Sequence, residues 1–379
     1  MAKPIHVLWL IESPDQSGIA FAAKHMAGGL IGSGVKLSMM AIRPGVNAED
    51  FAQLGCPVQV FPRLGSFLFG GPSLAAARKL EIDLIHTLTP NLARQGLSLA
   101  KRLKVPIVAT VNRMDWEEIR HIADFRGTGV IAVSDAIRER LANTAGIPQH
   151  KIRVIPTGLD LSKLPRPDFS PIQESLFTPV VGTLGQLTER KGQRVFLLAA
   201  ANILRRGFDA EFVIFGDGPD RMALRQLATE LKINKRVTFA PQTLSGQLVR
   251  INVLVEPSLQ EGLGLSVMQA MAMGVPVVGT GVGGLYSLIE DGKTGLMVQA
   301  NNPQALASAI WRVLKHPEDS LEMARMAREL IEEQFSIEVV IPILVDYYRS
   351  IISGDLDKLP SRTSSHPPTS LSVREVRGS

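Results

Sequence analysis

Short continuous apolar runs alternate with longer amphipathic segments along most of the chain. The runs 4–11 (PIHVLWLI), 35–42 (VKLSMMAI), 83–88 (DLIHTL), 105–111 (VPIVATV) and 129–134 (GVIAVS) read as buried strands. Segments 17–32, 91–104 and 134–146 lie between them and carry helical periodicity. Strands apolar on both faces, joined by helices, predict a parallel sheet covered on both sides. Residues 164–179 hold four prolines and no period, which predicts a linker. The alternation then restarts. Strands are expected at 179–184, 210–216, 236–240, 252–257, 275–280 and 294–298, and helices at 192–207, 220–232, 303–316, 319–334 and 336–352. The last helix is expected to break or bend near Pro342. Two doubly wound parallel-sheet units follow from this, 1–163 and 180–335, with a ligand crevice between them at the carboxyl ends of the strands. The Ser-, Pro- and charge-rich tail 354–379 is expected to be disordered.

Composition narrows the classes. A length of 379 residues suits two domains, and 45% hydrophobic with 20% charged residues suits globular ones. A net charge of +5 without a dense Lys/Arg block argues against nucleic acid as a partner. It suits an anionic small substrate and occasional contact with an acidic membrane surface. Cys56 is the single cysteine, so there is no intrachain disulfide and a thiolate zinc site is disfavoured. The N-terminal stretch lacks a signal-peptide pattern, and no run reaches the roughly 18 apolar residues of a membrane span. The expected location is cytoplasmic, with peripheral contact at the inner face of a membrane.

The chemistry concentrates at strand ends. In EGLGLSVMQAMAMG (261–274), Glu261 stands on a loop after an apolar strand, and Ser266 with Gln269 has capping-box spacing, which predicts Ser266 as N-cap. Gly262 and Gly264 permit close approach of backbone and ligand. A helix N-terminus there favours a diphosphate, and Glu261 and Gln269 could hydrogen-bond sugar hydroxyls. In GTLGQLTERKG (182–192), Lys191 is a candidate phosphate ligand and Arg190 a weaker one, against the alternative of plain solvated charges. His86 ends a strand, where a lone histidine is more often structural. GTGVGG (279–284) matches a dinucleotide fingerprint, but position 304, about 20 residues on, is Gln and supplies no acid for a ribose. The DLD at 355–357 imitates a metal-binding Asp-x-Asp but falls in the tail, and no metal is implied. GGLIGSG (28–34) reads as helix termination.

Taken together, GQLTERKG (185–192), VIPTGLD (154–160), GDGP (216–219), PSLQEGLGLSVMQAMAMGVPVV (257–278), GGLYSLIEDGKTGLMV (283–298) and VSDAI (133–137) resemble glycosyltransferase family 4, the group 1 glycosyltransferases, over roughly residues 5–352. The resemblance implies the GT-B architecture of two Rossmann-like domains: an acceptor-side domain 1–163, a linker 164–179, a nucleotide-sugar domain 180–335, and a helix 336–353 returning to the N-terminal domain. It implies that Glu261 lies by the donor sugar. The position of Gln269 holds the ribose, and those of Gln186 and Lys191 grip the diphosphate. The amides around Leu263, Gly264, Leu265 and Ser266 complete the donor pocket, with Ser17 and Gly18 closing over it. His86 and Asn112 face the acceptor. Five positions depart from the family pattern: Gln186 replaces an Arg, Gln269 a Glu, Asn112 a His, and Tyr286 with Ser287 a Pro-Glu pair. The implied activity is retaining, metal-independent transfer from a nucleoside diphosphate sugar to a glycan or lipid-linked acceptor in cell-envelope polysaccharide or glycolipid synthesis. No cofactor is needed, and no general base is evident. The rival readings are a catalytically weakened nucleotide-sugar-binding or interaction protein, a nicotinamide oxidoreductase resting on GTGVGG, and a nucleotide-sugar epimerase.

Overall fold

The computed structural model describes residues 4–15, 18–61, 72–113, 115–167, 169, 178–241 and 248–355. They form two parallel sheets. The first has the order β3-β2-β1-β4-β5-β6-β7, from β1 (His6–Ile11), β2 (Lys36–Ala41), β3 (Val58–Val60), β4 (Leu84–Thr87), β5 (Ile107–Val111), β6 (Gly129–Ala132) and β7 (Ile152–Val154). The second has the order β10-β9-β8-β11-β12-β13, from β8 (Val180–Leu184), β9 (Glu211–Phe215), β10 (Val237–Ala240), β11 (Val253–Glu256), β12 (Val277–Thr280) and β13 (Leu296–Val298). In each sheet the order reverses between adjacent strands (β1 beside β4, β8 beside β11), which opens a crevice at the carboxyl ends. This is the GT-B architecture.

The central strands are buried on both faces, as their unbroken apolar runs require; β1 and β5 have no exposed residue. Helices α1 (Gly18–Gly32), α2 (Ala48–Gln53), α3 (Pro72–Lys79), α4 (Ala93–Leu103), α5 (Trp116–Ala123) and α6 (Asp135–Thr144) cover the first sheet. Helices α7 (Gln193–Arg205), α8 (Arg221–Glu230), α9 (Leu265–Ala272), α10 (Pro303–Lys315) and α11 (Pro317–Gln334) cover the second. A last helix, α12 (Ile337–Ser353), packs on α1 and places Tyr348 under β1, where its hydroxyl accepts the Trp9 indole N–H at 3.2 Å.

One expectation needs correction. Helix α12 runs unbroken through Pro342, because that ring lies on the exposed face and the carbonyl it frees, of Glu338, can meet water. Helix α1 ends at Gly32, inside the GGLIGSG segment read as its termination, and packs on α12. Between the sheets the chain crosses twice, side by side: the Leu159 N–H donates to the Phe335 carbonyl at 2.8 Å, and the Ile337 N–H to the Leu159 carbonyl at 3.0 Å. Residues 164–167 have no regular structure; 168 and 170–177 of the expected linker, and 356–379 of the expected tail, lie outside the described residues. Among the described residues no helix is long and apolar enough to cross a membrane.

Candidate active site

Two loops of the second sheet carry the residues expected on the donor side. After β8 the chain passes Gln186 and makes a single 3₁₀ turn at Glu189–Lys191. After β11 it passes Pro257 and Ser258 to Glu261 and enters α9. The loops are clasped by backbone: the Leu259 N–H donates to the Arg190 carbonyl at 2.8 Å, and a Cβ on Gly192 would lie 2.0 Å from the Pro257 carbonyl oxygen. Gly192 also has φ +67°, so glycine is required there twice over.

This clasp brings Lys191 and Glu261 together. Lys191 Nζ lies 2.5 Å from Glu261 Oε2 and 3.5 Å from Glu256 Oε1, and the side chains are only 16%, 14% and 2% exposed. Burial works against the ammonium, but the two carboxylates outweigh it and hold Lys191 above the ordinary lysine range. Burial likewise works against the Glu261 carboxylate. Lys191, the Gly262 N–H donating at 3.0 Å, and Arg190 outweigh it and hold Glu261 below the ordinary range. Both groups are therefore charged at neutral pH.

Helix α9 starts two residues earlier than capping-box spacing predicts. Gly264, at φ +94°, is the N-cap, and Ser266 lies inside the first turn. The Ser266 hydroxyl does not cap the helix because it donates to Glu256 Oε2 at 2.5 Å. The first N–H groups of α9 thus have no side-chain cap and face the crevice. Gln269, 2% exposed, makes no side-chain hydrogen bond to a described residue. Gln186 has an exposed side chain, while its carbonyl accepts the Gln193 amide at 3.1 Å. Leu263 and Leu265 flank the N-cap, Leu263 buried and Leu265 half-buried.

The first domain meets this surface directly. The Ser134 hydroxyl, at the start of α6, donates to the Gly262 carbonyl at 2.8 Å. A Cβ on Gly262 would lie 1.9 Å from the Asn112 carbonyl oxygen, so only glycine permits the contact. Arg190 lies 3.8 Å from Asp115, which caps α5. At the start of α1, a Cβ on Gly18 would lie 3.6 Å from Leu265 Cδ1. The first residues of α1 and α9 are therefore close neighbours across the two domains. Ser17 lies outside the described residues.

The two acceptor-side candidates are placed by buried partners. Asn112 donates through its amide to the Leu88 carbonyl at 2.7 Å. His86 shares its ring nitrogens with Tyr348, at 2.6 Å, and Thr110, at 2.7 Å; burial pushes its pKa down to about 3. Both line a small, mainly apolar cavity of about 60 Å³ with Trp9, Ala22 and Leu88. His86 is thus a neutral, tethered group in the wall of the first domain. The GTGVGG segment leads from the end of β12 into a 3₁₀ turn at Gly283–Ser287. Its Gly284 N–H donates to the Glu261 carbonyl at 3.1 Å, so it buttresses the turn before α9.

Sequence reasoning missed Glu256, Ser134 and Glu118. Glu256 was readable as an acid closing the apolar run VLV, but its partners are fixed only by the fold. Glu118 is 1% exposed and accepts the Asn112 and Arg113 N–H groups at 3.2 and 3.1 Å, pairing with Arg113 at 2.9 Å. Burial raises its carboxyl above the ordinary range despite Arg113. It pins the loop whose carbonyl touches Gly262.

The geometry offers an anion two helix N-termini and an ammonium, with a carboxylate beside them for hydroxyl groups. Residues 17–163 match the family described as Glycosyltransferase Family 4, and residues 178–316 match Glycosyl transferases group 1. A GDP-mannose-dependent alpha-(1-6)-phosphatidylinositol monomannoside mannosyltransferase of Mycobacterium tuberculosis is 30% identical over 373 residues, covering 89% of this chain and 95% of that protein. A 2-deoxystreptamine glucosyltransferase of Streptomyces kanamyceticus is 27% identical over 306 residues, covering 76% and 75%. The crystal structure of Anabaena Alr3699/HepE in complex with UDP-glucose has the same fold, with a TM-score of 0.79 at 22% identity over 91% of this chain and 100% of that one. The chain belongs to the group 1, family 4 glycosyltransferases and is an enzyme of that class.

Proposed function

We propose that this enzyme moves a hexose from a nucleoside diphosphate sugar to a hydroxyl of a glycan or lipid-linked acceptor, with retention of configuration and without metal or cofactor. The observation that carries the reading is the convergence of Lys191, Glu261 and the α9 N-terminus on the face that meets Gly18 and Asn112. In this reading the diphosphate lies against the α9 N–H groups and Lys191, which stabilise charge as the C1–O bond to the β-phosphate breaks. Glu261 hydrogen-bonds the hexose, and Gln269, with no partner among the described residues, holds the ribose as a neutral amide. The acceptor oxygen approaches C1 from the first domain, near Gly18 and Asn112, and forms the new bond on the face the phosphate leaves. Its proton passes to the departing phosphate oxygen, since His86 is neutral and already bonded at both nitrogens. Work in the cytoplasm with peripheral membrane contact, serving cell-envelope polysaccharide or glycolipid synthesis, fits the mild positive charge and the relative named for a phosphatidylinositol mannoside.

The relatives suggest the donors to try, because one is named for GDP-mannose and one was crystallised with UDP-glucose. A thermal-shift series with uridine, guanosine and adenosine diphosphate sugars, paired with an assay for released nucleoside diphosphate, tests the reading. One donor class at a hundred times its Kd should add about 2.7 kcal/mol, a rise in Tm of about 5 °C or more. Absence of both a shift and product for every donor would overturn it. A shift without product would favour the second reading, a nucleotide-sugar-binding protein of weakened activity. That reading is motivated by two carboxylates set around the single ammonium of Lys191.

A further inference from the structure

The two carboxylates beside Lys191 differ in freedom. Glu261 rides on the turn before α9, at the mouth of the crevice. Glu256 ends β11 and is tied at both oxygens: Oε1 accepts the Ser258 hydroxyl and Oε2 the Ser266 hydroxyl, each at 2.5 Å. The Ser258 carbonyl in turn accepts the Thr280 hydroxyl at 2.6 Å, from the neighbouring strand β12. Nothing about the strand calls for an acid here. The residues before it are Val253, Leu254 and Val255, all fully buried, and an aliphatic side chain would continue their pattern. A buried carboxylate is costly unless it is paired and hydrogen-bonded, and this one is both. Its ion partner is Lys191, at 3.5 Å.

We infer that Glu256 is a positioning residue: the fixed counter-ion that keeps the Lys191 ammonium in place while Glu261 turns to the donor's hexose. The inference rests on the donor-site reading above. Lys191 and Glu261, paired at 2.5 Å, must address different parts of one donor, so their contact lengthens or breaks on binding. Glu256 cannot follow the ligand, because β11, Ser258 and Ser266 hold it. It therefore remains beside the ammonium in both states. It also places a carboxylate behind the diphosphate, and that like charge weakens nucleoside diphosphate affinity and speeds product release.

These two consequences have opposite signs in the variant Glu256→Gln, which keeps a hydrogen-bonding head for both serines. A nucleoside diphosphate that the wild type takes should bind the variant about tenfold more tightly, since one opposing charge is gone. Transfer kcat should fall about tenfold, since Glu261 is then the sole carboxylate partner of Lys191 and is held from the sugar. A residue that only braced the fold would weaken both binding and turnover, and that outcome would overturn the inference. A second measurement needs no nucleotide. Acetic anhydride labelling of Lys191 at pH 9, read by mass spectrometry on folded protein, is compared in wild type, Glu261→Gln and Glu256→Gln/Glu261→Gln. With Glu256 as fixed counter-ion, Glu261→Gln should label within about threefold of wild type and the double variant at least about tenfold faster. Equal labelling of the single and double variants would refute the role of Glu256. A wild type that bound no nucleoside diphosphate would sink the donor assignment, while the labelling would still decide the question for Glu256. Should the double variant not fold, the binding and turnover of Glu256→Gln decide it instead.

Discussion

Replacing Lys191 by methionine takes away the ammonium that stands between Glu256 and Glu261 but keeps an unbranched side chain one atom shorter. Both carboxylates then face each other at low exposure, with Arg190 as the remaining nearby cation. Removing one partner of a buried pair typically costs about 3–5 kcal/mol. Here the cost should depend on pH, and the sign follows from the groups. In the wild type, Glu261 is held below its ordinary value, so its contribution is present above the unfolded-state value and fades as pH falls through the folded one. In the variant, burial and the neighbouring acid raise the folded value instead. The unfolded chain then ionises more readily than the folded one, and the deficit is largest at neutral pH and shrinks as pH falls toward 5. Hydrogen exchange of the β11 and α9 amides at pH 7.5, 6.5 and 5.5 reads this for the second domain alone. Nucleoside diphosphate affinity should fall by about 1.5–3 kcal/mol, the worth of a charged hydrogen bond. A deficit under about 1 kcal/mol that stays flat with pH would show that Lys191 is not the counter-ion of two buried acids.

Gly262→Ala should separate binding from transfer. Its Cβ would meet the Asn112 carbonyl oxygen at 1.9 Å and force the domains apart at the site, so turnover should fall about a hundredfold or more, while nucleotide affinity of the second domain stays within about threefold; equal activity would refute the contact. Gln186→Arg adds a cation on an exposed side chain beside the donor loop, so nucleoside diphosphate should bind about tenfold more tightly with unchanged stability, by titration calorimetry at low salt. His86→Gln should cost about 2–4 kcal/mol in the first domain through lost contacts with Tyr348 and Thr110, with donor affinity intact. With its pKa near 3, His86 should also show no NMR titration between pH 5 and 8, and because the unfolded imidazole protonates near 6.5, stability should drain through it as pH falls from about 6.5 to about 3.

The strands were legible where both faces are buried, because an apolar run such as HVLWLI has no other low-energy use in a parallel sheet. Strand β3 was not, being three residues long with two of them exposed, and β7 is also three residues long and shares only Val154 with the VIPTGLD motif. Helices α2, α3 and α5 are too short, at 6, 8 and 8 residues, for a hydrophobic period to stand out. At the site, Lys191 and Glu261 could be named from strand–loop–helix context. The start of α9 could not, because Ser266 and Gln269 have the spacing of a capping box while the hydroxyl is claimed by Glu256, ten positions earlier. Local spacing cannot see a competitor brought in by the sheet. The same limit hid Glu118 and Ser134, whose roles exist only where β5, α6 and the Gly262 turn meet.

The shape of the site and its charge are set by different parts of the chain, and this bears on the departures from the family pattern. The loop after β8 is held by backbone approach at Gly192, and the turn before α9 by the Asn112 carbonyl against Gly262. The Gln186 carbonyl is anchored by Gln193, whatever its own side chain carries. Exchanging Arg for Gln at 186 therefore removes a charge without disturbing the cradle. Gln269 lies within α9, whose geometry is fixed by Gly264 and not by residue 269. On the donor reading proposed above, with those two side chains neutral and Lys191 shared between two acids, a diphosphate would rely more on the N-terminal amides of α9 and α1 than on fixed cations. Partial charges of that kind point one way and cannot relax toward water. A site built on them gains selectivity for a ligand placed at the right distance, and it gains little for anions in general.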